Sequence, residues 1–215
     1  GPMIISLVAL FPNHLNLNGD LANIRVLQQR LAWRGVECVV TLVEKGDSIP
    51  KDTDFILIGH GSEAAWNDLE VAFDFIKTEL VDAFDSGVSG LAVASGYERL
   101  YDLSPRASLA LFPDPILRTE RSSRFTLGEL AGHQTLGYLN SDAKLPLLVQ
   151  HQNLYGTLLH GPVLAKNEWL AESIIKSIFE RRHAPLPEIR AKEKADQVAG
   201  LISKIWELEE PLARE

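Results

Sequence analysis

The amino-acid sequence predicts an α/β fold: one domain in three layers, with a mostly parallel central sheet and helices on both of its faces. Four short, mainly apolar segments of strand length alternate with longer segments whose apolar residues recur at helical spacing. The chain has 215 residues, and a typical domain has about 150. We therefore expect one domain of good size, which can bury a core without disulfides or metals.

The first half of the chain supplies the regular part of this alternation. Strands are predicted at residues 3–10, 36–43, 55–58 and 90–94, and the first of them is a short, continuous apolar run of the kind that is buried on both faces. One helix is predicted over residues 21–35, where Gly35 ends it, and a second over residues 62–84. The inner stripe of the second helix contains Phe73, Ile76, Leu80 and Phe84.

The second half of the chain has a different rhythm. Over residues 105–160, short apolar pieces are separated by Gly, Pro, Asn and Asp, which predicts small strands and loops at one sheet edge. A helix is predicted over residues 167–182, and a terminal amphipathic helix over residues 188–209. We interpret residues 1–2 as a protease-cleavage remnant and residues 3–184 as the domain. Residues 185–215 are expected to form a helix that packs on this domain or on a partner.

The composition excludes several classes of function. The formal net charge is −8 and there is no basic run, which argues against a nucleic-acid partner. No apolar stretch reaches the roughly 18 residues that a membrane span needs, and no secretory pattern opens the chain. The single cysteine, Cys38, fits a reducing compartment and a packing role inside a strand. We therefore expect a cytoplasmic protein.

Chemistry is expected where the parallel strands end, since loops at the carboxyl edge of such sheets form the binding sites. Three ends stand out, at residues 58–62, 93–98 and 159–162. The middle one turns sharply through small residues into a helix, which is the form of a nucleophile elbow. Gly59 and Gly61 could present a backbone amide for an oxyanion hole, and His160 could act as general acid or base.

Two long segments resemble one protein family. The run LNLNGD at 15–20, with WRG at 33–35, and the run YGTLLHGPVLAKN at 155–167 resemble motifs of the class I glutamine amidotransferases. Within that family they are similar to the cobyric-acid-synthase-like branch, above all to the GatD glutaminase subunits of lipid II isoglutaminyl synthase. In that branch the second segment reads GTYLHGPVLPKNP and contains the catalytic histidine, which corresponds to His160. The resemblance spans about residues 4–180.

The resemblance implies a three-layer, flavodoxin-like amidotransferase fold and a glutaminase reaction. Glutamine would be hydrolysed, and the ammonia would pass to a MurT-like, Mur-ligase-like synthetase subunit that amidates D-glutamate in the peptidoglycan stem peptide. That partner would bind ATP, which agrees with the lack of a Walker-type glycine loop in this sequence. No cofactor is therefore expected. Arg124 resembles the family arginine that helps to hold glutamine, and an ordinary solvated arginine is the other interpretation.

The sequence departs from the family at the nucleophile. Where the family reads VCGGYQ, residues 93–98 read VASGYE, so Ala94 stands at the position of the catalytic cysteine. Alanine has no atom that can attack an amide. Ser95 comes one position later and is expected to cap the following helix rather than to act as a nucleophile.

Two explanations for Ala94 remain open at this stage. An engineered Cys→Ala exchange would leave the surrounding motifs near the family pattern, whereas natural loss in a pseudoenzyme would be accompanied by drift. The glycine motif GGGQDREQ has become GHGSEAAW at 59–66, and a family segment rich in Asn, His and Gly is shortened around 133–141. This drift favours natural loss. His60 and His133 have no partner spacing that indicates a metal site.

Overall fold

The computed structural model describes residues 3–103 and 107–215. Residues 1–2, with the expected cleavage remnant, and residues 104–106, at the start of the segment with the changed rhythm, lie outside this description. Within the described ranges the predicted three-layer α/β domain is confirmed. The elements in chain order are β1 (Ile4–Leu10), α1 (Ala22–Trp33), β2 (Glu37–Val43), β3 (Phe55–Ile58), α2 (Glu63–Asp85), β4 (Ser89–Val93), α3 (Ser95–Glu98), β5 (Arg118–Leu130), β6 (His133–Ala143), β7 (Leu148–His151), β8 (Leu154–Thr157), β9 (Leu159–His160), α4 (Val163–Lys166), α5 (Glu168–Arg181) and α6 (Lys192–Ala213).

The main sheet has six strands in the order β2-β1-β3-β4-β8-β7. The first five are parallel, and β7 pairs antiparallel with β8 at the edge. Helix α2 packs its apolar stripe on one face of the sheet, and helices α1 and α5 cover the other face. Because both faces are covered, β3 is apolar along its whole length, and all four of its residues are buried.

The expectation of small strands at one sheet edge between residues 105 and 160 is only partly met. Strand β7 does lie at the edge, but β5 and β6 form a long antiparallel hairpin that belongs to a second sheet, in the order β5-β6-β9. The prediction is wrong here because most of β5 is exposed and polar, so no hydrophobic period marks it. The terminal helix also begins later and ends later than predicted, over Lys192–Ala213.

The order of the parallel strands brings four loops together at one edge. Strands β1, β3, β4 and β8 are neighbours in the sheet, so the segments that follow them emerge side by side. Gly59 and Gly96 allow these segments to touch: a Cβ on Gly59 would lie 2.1 Å from the Leu15 carbonyl oxygen, and one on Gly96 would lie 2.5 Å from that of Ile58. The carboxyl edge is thus closely packed, and any larger residue at these two positions would force the loops apart.

Helix α6 lies against the domain beside the segment that follows His160. Trp206 Nε1 donates a hydrogen bond of 2.6 Å to the Lys166 carbonyl oxygen. No helix within the described residues is long and apolar enough to cross a membrane.

Candidate active site

The turn between β4 and α3 has the backbone of a nucleophile elbow, with Ala94 at its tip. Ala94 has φ 52° and ψ −114°, a region that residues with a Cβ rarely adopt. Its N–H donates a 2.8 Å hydrogen bond to the Thr157 carbonyl oxygen, which extends the pairing of β4 with β8. The surrounding chain therefore maintains the strained turn although residue 94 has only a methyl group.

The expectation that Ser95 caps the helix through its side chain is wrong. Ala94 is the cap residue of α3 and makes no side-chain cap hydrogen bond, and the first amide of the helix, Ser95 N, donates to His60 Nδ1 rather than to a serine hydroxyl. Ser95 Oγ instead accepts hydrogen bonds from Gly61 N at 2.9 Å and from Trp66 Nε1 at 2.8 Å. It also lies 2.8 Å from His60 Nδ1 and 3.0 Å from the Gly61 carbonyl oxygen. The α3 helix has only four residues, so the nearby turn at 59–61 offers this hydroxyl more partners than the helix does.

These contacts leave Ser95 without a free lone pair. A serine hydroxyl can accept two hydrogen bonds and donate one. The two N–H groups fill both acceptor positions, and the hydroxyl hydrogen goes to His60 or to the Gly61 carbonyl. A nucleophile needs a lone pair directed at the substrate, so this arrangement does not activate Ser95.

The His60 imidazole accepts a hydrogen bond through Nδ1. The donor is the Ser95 backbone N–H, at 3.2 Å, and the Ser95 hydroxyl lies 2.8 Å from the same nitrogen. Burial lowers the pKa of His60, and the nearby positive charge of Arg121 lowers it further. A neutral imidazole with its hydrogen on Nε2 is consistent with both observations.

Two backbone amides occupy the positions where an oxyanion hole is expected. In an elbow of this kind the hole is formed by the N–H that follows the nucleophile and by an N–H from the loop after strand β3. Ser95 N and Gly61 N are these groups, and both donate to side-chain acceptors within the chain. Gly59 lies deeper, against the Leu15 carbonyl, and its role here is close packing.

His160 lies at the end of β9, beside these groups. Asn18 Nδ2 lies 3.2 Å from its Nδ1, and its ring centroid is 5.5 Å from that of His60 in an edge-on arrangement. Burial lowers the pKa of His160 to about 4, with a further contribution from His60. The imidazole is therefore neutral at pH 7, and it is a much weaker base than one whose pKa lies near 7, the value that best suits a general base.

Three residues that contact the site, namely Asn18, Asp20 and Trp66, are not among the site residues predicted from the sequence. Asp20 is 3% exposed, and its Oδ2 accepts the His60 backbone N–H at 2.8 Å. Burial raises the pKa of Asp20 to about 6, although the hydrogen bond from His60 lowers it. Asn18 and Asp20 follow β1, so the carboxyl-edge rule could have identified them. No pattern in the sequence predicts that the Trp66 indole points towards Ser95.

A cavity of about 610 Å³ opens beside Ser95 and Gly61. Its wall includes Arg118 and Arg121, and Arg118 forms ion pairs with Glu98 at 2.5 Å and with Asp142 at 3.1 Å. Arg124 lies outside the described lining of this cavity. Its guanidinium is exposed on β5, 3.3 Å from Thr126 Oγ1.

The assembled site can bind and orient a small polar molecule, but it contains no nucleophile. Ala94 occupies the tip of the elbow, and the Ser95 hydroxyl is fully engaged. Among the described residues, no group of three or more His, Cys, Asp or Glu side chains is placed to hold a metal ion.

Comparison with known proteins identifies relatives of the chain. No protein-family profile matches it. It is 27% identical to the "Lipid II isoglutaminyl synthase (glutamine-hydrolyzing) subunit GatD" of Staphylococcus aureus (strain N315), over 83% of this chain and 89% of that protein. Its fold is shared with the structure of PurLQS from Thermotoga maritima, at a TM-score of 0.51 and 14% identity over 83% of this chain and 99% of that one. The resemblance to the GatD group of glutamine amidotransferases is thereby confirmed.

Proposed function

We propose that the chain is the amidotransferase-type subunit of a two-component enzyme that amidates a carboxylate of a peptidoglycan precursor. The observation that carries the proposal is the elbow at Ala94, which keeps its strained backbone next to His160 and two oxyanion-type amides. Similarity to a subunit of lipid II isoglutaminyl synthase supports the choice of substrate. The partner would be an ATP-dependent, Mur-ligase-like synthetase that activates the D-glutamate carboxylate, in the cytoplasm.

The glutaminase half-reaction requires a cysteine at position 94. A thiolate there would form a C–S bond to the side-chain carbonyl carbon of glutamine, and the carbonyl oxygen would take up the negative charge. Collapse of this intermediate would break the C–N bond, with His160 supplying the proton for ammonia. Water would then hydrolyse the thioester to glutamate. With Ala94 the first bond cannot form, so this sequence releases no ammonia by that route.

A second candidate is a naturally inactive subunit that binds and regulates the synthetase. The hydrogen bonds that Gly61 N and Ser95 N already make within the chain favour this candidate. A single engineered exchange at position 94 would not account for them. The native codon at position 94 distinguishes the two: a cysteine codon indicates an engineered exchange in a glutaminase subunit, and an alanine codon indicates natural loss.

Reconstitution with the synthetase encoded beside the native gene tests the proposal. We expect a stable complex of the two chains that amidates a lipid-linked muropeptide with ammonium, but not with glutamine. Failure of the two chains to associate, together with unchanged synthetase activity when this chain is added, would contradict both candidates.

A further inference from the structure

We propose that His60, Trp66 and Ser95 form a built-in plug of the oxyanion hole, so that the site is closed by hydrogen bonds as well as deprived of its nucleophile. The inference rests on the proposed function, since it concerns the glutaminase centre of that subunit. We therefore expect that replacing Ala94 with cysteine does not by itself restore hydrolysis of glutamine.

The plug acts on both amides that would stabilise the tetrahedral intermediate. Gly61 N donates to Ser95 Oγ at 2.9 Å, and Ser95 N donates to His60 Nδ1 at 3.2 Å. An oxyanion would have to displace both acceptors before it could be bound. Oxyanion donors are effective because they are preorganised and unoccupied, and that condition is not met here.

The residues of the plug coincide with departures from the family motifs. His60 stands where the glycine motif has its second glycine, Trp66 where the same motif ends in glutamine, and Ser95 where the elbow motif has glycine. Ser95 lies about 30 residues from the other two, yet the three side chains meet at Ser95 Oγ, 2.8 Å from both His60 Nδ1 and Trp66 Nε1. The same motifs also depart from the family at residues 62–65 and 98, outside this cluster, so the proposal depends on the hydrogen bonds and not on the number of substitutions.

Packing around Trp66 holds its indole in place. The Arg99 guanidinium lies 4.2 Å from the centre of the Trp66 ring, and the Phe73 ring meets the indole edge-on at 5.6 Å. Trp66 is 3% exposed, so its Nε1–H would lack a partner if Ser95 moved away. Withdrawal of the serine hydroxyl therefore costs a buried hydrogen bond, which stabilises the closed arrangement.

The first test compares ammonia release from glutamine by two variants of the full chain. Ala94→Cys alone supplies the nucleophile, and Ala94→Cys/His60→Gly/Ser95→Gly also restores the family's glycines. We expect the triple variant to release ammonia at least about 100-fold faster, since loss of even one oxyanion donor costs about 100- to 1,000-fold. Alkylation with iodoacetamide, read by mass spectrometry, establishes that the new thiol is accessible in both variants. Measurable rates of ammonia release in both variants that agree within about threefold would overturn the plug.

Ala94→Cys/Ser62→Ala is the matched control. Ser62 lies in the same turn, but its hydroxyl accepts the Ala65 N–H at the start of α2 and takes no part in the cluster. Its rate should stay at that of Ala94→Cys alone. A rise equal to that of the triple variant would mean that any loosening of the turn suffices, and would count against the plug.

Amide hydrogen exchange supplies a second readout that needs no activity. In the unaltered protein we expect protected amides at positions 61 and 95, and at least about tenfold faster exchange at both in His60→Gly/Ser95→Gly. Equal exchange in the two proteins would overturn the plug. Faster exchange without ammonia release by the triple variant would support the plug and count against the glutaminase proposal.

Discussion

Lys166 and Glu209 form an ion pair that joins the histidine-containing segment to the C-terminal helix. Lys166 Nζ lies 2.7 Å from Glu209 Oε2 and 2.9 Å from Oε1, and Lys166 is 8% exposed. The Lys166 stem also passes Gly161, where a Cβ would lie 3.0 Å from Cε. Helix α6 is therefore linked to the residue that follows His160 through one buried side chain.

Removal of the carboxylate should destabilise the fold strongly. Glu209→Ala leaves a buried ammonium unpaired, which costs about 3 kcal/mol in the free energy of unfolding, whereas Lys166→Met/Glu209→Met should stay within about 1 kcal/mol of the unaltered protein. Urea unfolding measures both. Glu210→Ala on the same helix breaks the exposed pair with Arg214 and should cost less than about 1 kcal/mol. Equal losses for Glu209→Ala and Glu210→Ala would show that burial of the pair is irrelevant.

A charge at position 18 should raise the pKa of His160. Asn18 Nδ2 lies 3.2 Å from His160 Nδ1, so Asn18→Asp places a carboxylate beside an imidazole whose pKa is about 4. A nearby opposite charge favours the protonated ring, and we expect an increase of at least about one pKa unit. Titration of the His160 ring protons by NMR measures the change. Asn18→Ala removes the amide without adding charge and is the control; an equal increase in both variants would exclude the electrostatic explanation.

The sequence predicts the elements of the main sheet well because burial on both faces leaves an unambiguous pattern. Strand β3 is found at Phe55–Ile58 as predicted, since four apolar residues lie between polar turns and all are buried. The sequence does not predict the long hairpin of β5 and β6, because the pairing of these strands depends on backbone hydrogen bonds between partners that are distant in sequence, such as Arg118 and Ala143. Exposed strands of this kind have no required side-chain period.

For the site, the sequence predicts which loops meet but not which atoms bond. The ends of β3, β4 and β9 do converge, which brings Gly61, Ser95 and His160 to one edge of the sheet. The bond between Trp66 Nε1 and Ser95 Oγ depends on two rotamers and on the approach of α2 to the elbow. Such details are decided by packing, which no local pattern records.

The pH dependence of stability should reveal the buried carboxyl of Asp20. Its folded pKa of about 6 lies above the ordinary 3.8, so the folded state retains a proton that the unfolded state loses. This contribution to stability is fully present below pH 3.8 and is lost as the pH rises through about 6. Relative to the unaltered protein, Asp20→Asn should therefore become more stable by about 3 kcal/mol between pH 3.5 and pH 7, because each pKa unit corresponds to about 1.4 kcal/mol. Denaturant unfolding at both pH values measures it, and a pH-independent difference would contradict it.

The strain at Ala94 predicts that an exchange for glycine costs less at this position than elsewhere in the buried sheet. An Ala residue at φ 52° and ψ −114° carries a cost of about 1–3 kcal/mol that glycine avoids, while glycine loses about 0.5–1 kcal/mol through its more flexible unfolded chain. Ala94 is 6% exposed, so the exchange also gives up the burial of a methyl group, which is worth about 0.8 kcal/mol. We therefore expect Ala94→Gly to leave the free energy of unfolding in urea within about 1 kcal/mol of that of the unaltered protein. Ala92→Gly, two residues earlier in the buried strand β4, is the control and should lower it by about 1 kcal/mol or more. Equal destabilisation by both variants would show that the backbone at Ala94 is not strained. The surrounding loops would then not be needed to hold the elbow in its conformation.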